Sequence, residues 1–297
     1  MKVTISEVAP RDGLQSIANF IPTDSKIALV RALYAAGTRR MEVGAFVSPR
    51  AIPQMADTAE VLAAARLLPG LEACVLVPNR RGFDQAVAQG AHRLGLFMSA
   101  TESHNRANLN ASREDSFAGL AALILDTPAG VALRFNLSCC FHCPFEGVVP
   151  EPLVLDWVAR IAELDPAIEI AICDTTGNAA PDQVERVFAD AIGLFGPRFA
   201  FHGHDTYGMG VANVAAAWRA GVRVIDSAAG GLGGCPFAPG ATGNVATEDV
   251  AWMFARMGIE TGLDYPALLA AADLAASVPG GTPGGRMRGV PAVRRAA

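Results

Sequence analysis

Short apolar runs alternate with longer stretches of helical period from one end of the chain to the other. Val3 to Val8 reads as a first strand. Thr23 then caps a helix to about Ala36, with Gly37 as its stop. Arg40 to Phe46 and Glu72 to Val77 read as the second and third strands, separated by a helix around Thr58 to Leu68. A helix from Arg81 to Gln89, ended by Gly90, leads to a fourth strand, Arg93 to Met98. Ser112 to Leu125 is helical, Val131 to Leu137 a fifth strand, and Pro150 to Leu164 a helix. Ile168 to Cys173 is a sixth strand, and Pro181 opens the helix that follows, to Phe195. Arg198 to Phe201 and Val222 to Asp226 complete the strands. A helix from about Gly208 to Ala220 lies between them and another, Thr247 to Met257, comes after.

About eight β-α units of this kind predict a (β/α)8 TIM barrel, closed and parallel, of class α/β. An open doubly wound sheet is the alternative, but no G-x-G-x-x-G follows the first strand. Pro236 occupies the third-glycine position in the glycine loop, and no G-K-[ST] follows. Tyr265 to Ala276 predicts an extra helix outside the barrel. The expected organisation is one catalytic domain over residues 1–279 and a Gly/Pro/Arg-rich tail over 280–297, which composition marks as mobile.

The chain has 297 residues, 51% of them hydrophobic and 18% charged, so a large core is available and disorder is not the default. A net charge of −5 without a basic block gives no nucleic-acid footprint. Ala-rich runs are interrupted by charged residues, and none is a clean membrane span. The opening Lys2-Val3-Thr4-Ile5 is not a charged segment leading into an apolar one, so a soluble cytoplasmic protein is expected. The six cysteines then read as free thiols. Cys140-Phe141-His142-Cys143 is a C-x-x-C that lacks the second pair of a zinc site and the surroundings of a redox motif.

Candidate chemistry concentrates at the carboxyl ends of the predicted strands, where barrels of this kind place their sites. Arg11-Asp12-Gly13 follows strand one, Glu42 lies late in strand two and Asp174 follows strand six. His202 and His204 follow strand seven, and Cys235 and Asn244 lie in the glycine-rich loop after strand eight. Residues i and i+2 of a strand share a face, so His202 and His204 can reach one ion. With Asp12 and the amide oxygen of Asn244, they form an oxygen and nitrogen set suited to Mg²⁺ or Mn²⁺. Zn²⁺ or Co²⁺ could substitute. Open positions would remain for a substrate that chelates through two oxygens. The same residues resemble a non-haem iron triad, which the parallel-barrel pattern disfavours.

The stretch Glu7-Val8-Ala9-Pro10-Arg11-Asp12-Gly13-Leu14-Gln15 resembles the first-strand motif of the hydroxymethylglutaryl-CoA lyase family. Phe46-Val47-Ser48-Pro49, Cys143-Pro144-Phe145-Glu146-Gly147, Asp174-Thr175-Thr176-Gly177 and His202 to Gly208 continue the resemblance. Its longest segment runs from Asp226-Ser227 through Gly231-Leu232-Gly233-Gly234-Cys235-Pro236 to Gly243-Asn244-Val245-Ala246-Thr247-Glu248-Asp249. The resemblance implies a metal-dependent TIM-barrel lyase with Asp12, His202, His204 and Asn244 as ligands. It implies Arg11, Glu42, Asp174, His202 and Cys235 as the catalytic group, with Arg11 and Gln15 on the substrate. The implied reaction is retro-aldol cleavage of a 3-hydroxy-3-methylglutaryl-CoA-type thioester to acetyl-CoA and a keto acid, with an acyl-CoA as the small-molecule partner. A homodimer is implied too. Gly203 stands where the family usually has cysteine, and Cys140-Phe141-His142 replaces a small-residue segment, which bears on the acyl group.

Three competing readings share parts of this pattern. A Claisen-type condensing enzyme of the same superfamily would keep the barrel and the histidine pair, but the Cys235 loop favours the lyase. A biotin-dependent carboxyltransferase would need a metal-bridging lysine, and the only lysines are Lys2 and Lys26. An interaction scaffold would have no use for charges at several strand ends, where burial is costly.

Overall fold

The computed structural model describes residues 2–234 and 243–291. In chain order the strands are β1 (Thr4–Glu7), β2 (Arg40–Ala45), β3 (Glu72–Leu76), β4 (Arg93–Ser99), β5 (Ala132–Ser138), β6 (His142–Cys143), β7 (Gly147–Val148), β8 (Glu169–Asp174), β9 (Phe199–Gly203) and β10 (Val224–Ser227). Eight of them pair in parallel and close into a barrel in the order β1-β10-β9-β8-β5-β4-β3-β2, with β6 and β7 forming a separate hairpin. The helices are α1 (Thr23–Ala35), α2 (Thr58–Arg66), α3 (Arg80–Ala88), α4 (Glu102–Leu109), α5 (Arg113–Leu125), α6 (Glu151–Leu164), α7 (Pro181–Phe195), α8 (Gly210–Arg219), α9 (Thr247–Arg256) and α10 (Tyr265–Ala276). The TIM barrel and the extra C-terminal helix expected from the pattern are both present.

Strand parity divides the interior into two chemistries. On β9, Phe199 and Phe201 pack edge-on against Phe188 of α7, with ring centroids 6.5 and 5.7 Å apart. Ala200 and His202, of opposite parity, therefore face into the barrel. On β5, Leu133, Phe135 and Leu137 join the large apolar core between strands and helices. Arg134, Asn136 and Ser138 take the inner face. Barrel interiors are usually filled by branched apolar side chains. Here a small cluster of Ala171, Cys173, Ala200 and Val224 shares that space with a column of charges. Glu169 is 2.7 Å from Arg40, 2.9 Å from Arg93 and 3.4 Å from Arg134, and Arg134 is 2.5 Å from Asp226.

Three features depart from the sequence reading. Thr23 is the first residue of α1 and Pro22 holds the cap position, with no side-chain cap. Helix α4 lies in a stretch for which the sequence pattern predicts no element. Its sequence ESHNRANL has no apolar stripe to signal it, and Asn110 ends it in the left-handed region at φ 54°. The β6–β7 hairpin was not anticipated either.

The tail, expected to be mobile, is held to the barrel as far as it is described. The Gly284 N–H donates to Gly230 O at 2.8 Å. Both carboxylate oxygens of Asp249 accept the Arg286 N–H, at 3.0 and 2.9 Å, and Oδ1 also accepts the Met287 N–H at 2.8 Å. Arg288 is 2.9 Å from Asp273. Composition could not show this, because the anchor lies in α9. Asp249→Ala should strand these two N–H groups and cost about 1–3 kcal/mol. A lower Tm with faster proteolysis near residues 284–291 would report it, and an unchanged melt would reject it.

Among the described residues no helix is long and apolar enough to cross a membrane. Cys74, Cys139, Cys140, Cys143 and Cys173 are free and buried, and burial pushes the Cys140 thiol up to about 12. Both cysteines of the C-x-x-C are thus buried and not joined in a disulfide.

Candidate active site

Strand β1 ends in one turn of π-type helix. Val8 O accepts from the N–H groups of Arg11 (3.1 Å), Asp12 (2.8 Å) and Gly13 (3.2 Å). Such turns recur at functional sites because they redirect side chains within a single turn. A Cβ on Gly13 would stand 3.0 Å from Leu232 Cβ, so glycine lets the loop after β10 approach. On β2 the register shifts between Glu42 and Gly44, and a Cβ on Gly44 would collide with Thr58 Oγ1 at 2.6 Å. This bulge sets Glu42 against Arg11, whose Nε donates to Glu42 Oε2 at 2.5 Å. The Arg11 fork also contacts Asp12, and reaches Gln15 Oε1 at 3.2 Å.

Strand β9 brings His202 and then His204 to the same end, with ring centroids 5.2 Å apart. His204 Nε2 is 3.8 Å from Asp12 Oδ2. One ligand atom each from Asp12, His202 and His204 lie within 4.8 Å of one another, the one such group among the described residues. Asn244 joins them, its Nδ2 donating to Asp12 Oδ2 at 2.7 Å and Leu232 O at 3.0 Å. The atom turned to Asp12 is thus the amide nitrogen, while Asn244 Oδ1 is buried with no partner among the described residues.

The electrostatics fit a cation. Burial alone would raise the Asp12 carboxyl, but Arg11, then His202 and His204, hold it well below the usual carboxylate range. Burial, reinforced by His202, pushes His204 down to about 4, leaving a neutral imidazole able to ligate. Burial also opposes charge on His202, but the hydrogen bond and charge of Asp226 outweigh it and raise its pKa. An ionised carboxylate, a neutral imidazole and an orphaned amide oxygen suit a divalent ion.

A cavity of about 730 Å³ opens here, with Arg11, Asp12, Gln15, His202 and His204 at one end and Leu109 and Leu120 in its wall. Glu42 and Asp174 do not line it. Glu42 is buried behind Arg11. Asp174 accepts from the N–H groups of Asn178 (3.1 Å) and Ala179 (3.2 Å), and burial raises its pKa to about 6. Cys235, with Arg294 and Arg295 of the tail, lies outside the described residues. In the sequence Asp226 reads only as the end of a strand and part of a motif, Arg134 is not singled out at all, and neither is read as a site residue. The signal was there in their parity: Arg134, Asn136 and Ser138 alternate with three core residues, and Asp226 pairs in register with His202.

The chain matches the HMGL-like family over residues 2–275. It is 41% identical over 271 residues to the hydroxymethylglutaryl-CoA lyase of Pseudomonas mevalonii, covering 90% of this chain and 89% of that one. It is 40% identical over 288 residues to the 3-hydroxy-3-isohexenylglutaryl-CoA/hydroxy-methylglutaryl-CoA lyase of Pseudomonas aeruginosa, covering 96% and 95%. A solved HMG-CoA lyase from Acenitobacter baumannii, in complex with coenzyme A and 3-methylmalate, superposes with a TM-score of 0.88 at 39% identity, over 93% of this chain and 92% of that one.

Proposed function

Because the chain belongs to the HMGL-like family, we propose that it is a metal-dependent lyase cleaving 3-hydroxy-3-methylglutaryl-CoA to acetyl-CoA and acetoacetate. The observation that carries this reading is the convergence of Asp12, His202, His204 and Arg11 at one end of the cavity. Asp12, His202, His204 and Asn244 would hold the divalent ion, Mg²⁺ or Mn²⁺. When bound, that ion lowers the pKa of the substrate's tertiary hydroxyl and holds a neighbouring carboxylate.

In the retro-aldol step a base removes the hydroxyl proton and the C–C bond breaks. Its electron pair passes to the acetyl-CoA fragment as an enolate, whose carbon then takes a proton. Arg11 supplies the fixed positive charge for the enolate oxygen. Glu42 positions it by holding Nε, and Gln15 extends the contact toward substrate. Asp174 supports the loop entering α7. Of the two candidates for proton transfer, His202 would be held by Asp226 at Nδ1 and by the ion at its other nitrogen, so the role falls to Cys235. A homodimer is the expected assembly.

The lysines speak against carboxyl transfer. Lys26 is buried and tied to Asp57 at 2.7 Å, away from the cavity. The size of the cavity and the isohexenyl substrate in one relative's name favour a second substrate, a 3-hydroxy-3-alkylglutaryl-CoA with a longer chain. The test is a panel of both thioesters and citramalyl-CoA with Mg²⁺ or Mn²⁺. We expect acetyl-CoA and acetoacetate from the methyl compound, stopped by EDTA and restored by either ion. No cleavage of any member would end the lyase reading.

A further inference from the structure

Resting on the metal-centre reading above, we propose that Asp226, pinned by Arg134, is a positioning residue for the metal centre. It fixes the ring of His202 with Nδ1–H turned toward the carboxylate, so that Nε2 offers its lone pair to the ion.

His202 Nδ1 lies 3.1 Å from Asp226 Oδ2. The same oxygen takes the Arg134 guanidinium at 2.5 Å, and the two side chains are 3% and 4% exposed. The other carboxylate oxygen, Asp226 Oδ1, is buried without a partner. Its fixed polar contacts among the described residues are thus His202 on one side and Arg134 on the other. Arg134 is itself immobilised, with Nε donating to Asn136 Oδ1 at 2.8 Å and a second nitrogen 3.4 Å from Glu169.

Stability does not explain this pair. Buried ion pairs can usually be replaced by well-packed apolar residues at no loss, because removing two charges from water offsets their attraction. The place is one that barrels ordinarily fill with branched apolar side chains. A carboxylate that must stay ionised and aimed at one imidazole does explain it. An imidazole whose outer N–H is held by a carboxylate has a fixed tautomer and a more basic ligating nitrogen. Among the described residues His204 has no such support, since its buried Nδ1 finds no partner there. The two histidines are therefore unequal: His202 is oriented by the column of charges, and His204 by its place beside Asp12.

The test titrates Mn²⁺ into the whole protein by electron paramagnetic resonance, beside a thermal melt. Asp226→Asn keeps the shape and removes the charge. It should weaken Mn²⁺ binding by about 10–100-fold, the usual loss for an outer-shell partner. Should it fold poorly because Arg134 is left unpaired, Arg134→Gln/Asp226→Asn removes both charges and should show the same loss. Arg93→Met breaks the same column away from the site. It should lower Tm and leave Mn²⁺ affinity near the wild-type value, well short of the loss of about 10-fold or more expected for the Asp226 variants. Wild-type affinity in the Asp226 variants, or equal weakening by Arg93→Met, would overturn the proposal. His204→Ala serves as the control for the centre itself. If it too binds Mn²⁺ normally, the metal reading fails and this inference falls with it.

Discussion

His204→Ala is expected to abolish measurable Mn²⁺ binding and to cut turnover by roughly 10³-fold or more. A polarising ion contributes several kcal/mol, and each 1.36 kcal/mol is a factor of ten in rate. The fold should survive. Among the described residues His204 Nδ1 makes no hydrogen bond that alanine would leave broken, and the ring packs at the barrel mouth beside Asp12. Circular dichroism and a melt would show a native protein, and an Mn²⁺ titration would show the loss. A variant that folds, binds Mn²⁺ normally and turns over would remove the histidine pair from the reaction.

Arg11→Gln is expected to lower kcat by on the order of 10²–10³, the range for deleting a donor that stabilises transition-state charge, with a smaller change in KM. The geometry adds a complication with its own test. Arg11 is also the counter-charge of Glu42 and Asp12, so the variant leaves one buried and one half-buried carboxylate short of a cation. Some loss of Tm should accompany the kinetic loss. If Glu42 acts only by holding Arg11, then Glu42→Gln should cost much less in the Arg11→Gln background than alone. Additive losses would give Glu42 a role of its own. A rise in KM with kcat unchanged would make Arg11 a substrate-binding residue.

The barrel was legible because period-2 runs and helical stretches alternate along the whole chain. The histidine pair was legible because spacing alone puts His202 and His204 on one face. What escaped depends on distances that run across the sheet. No local pattern announces that Arg134 meets Asp226; that follows from the pairing of β5 with β8, β8 with β9, and β9 with β10. Asp174 and Glu42 read equally well as reacting groups or supports. Their hydrogen bonds separate the two, since the oxygens of Asp174 serve its own loop and Glu42 serves Arg11. The tail looked mobile because its anchor, Asp249, lies 37 residues before Arg286.

The site straddles the seam of the barrel, and this bears on how the protein acquires activity. Glu7, at the end of β1, accepts from the Ala229 N–H at 2.9 Å and from Thr247 Oγ1 at 2.8 Å, and Asn244 meets Asp12 across 232 residues. These contacts close loops of more than 200 residues at a large cost in chain entropy, and a chain emerging from the ribosome cannot form them until its last barrel strand has appeared. Seven strands can pair before any ion could find Asp12 and the histidines against Asn244. Metal capture would then mark the final closure of the ring, and a chain stalled before β10 would be nearly folded and wholly inactive.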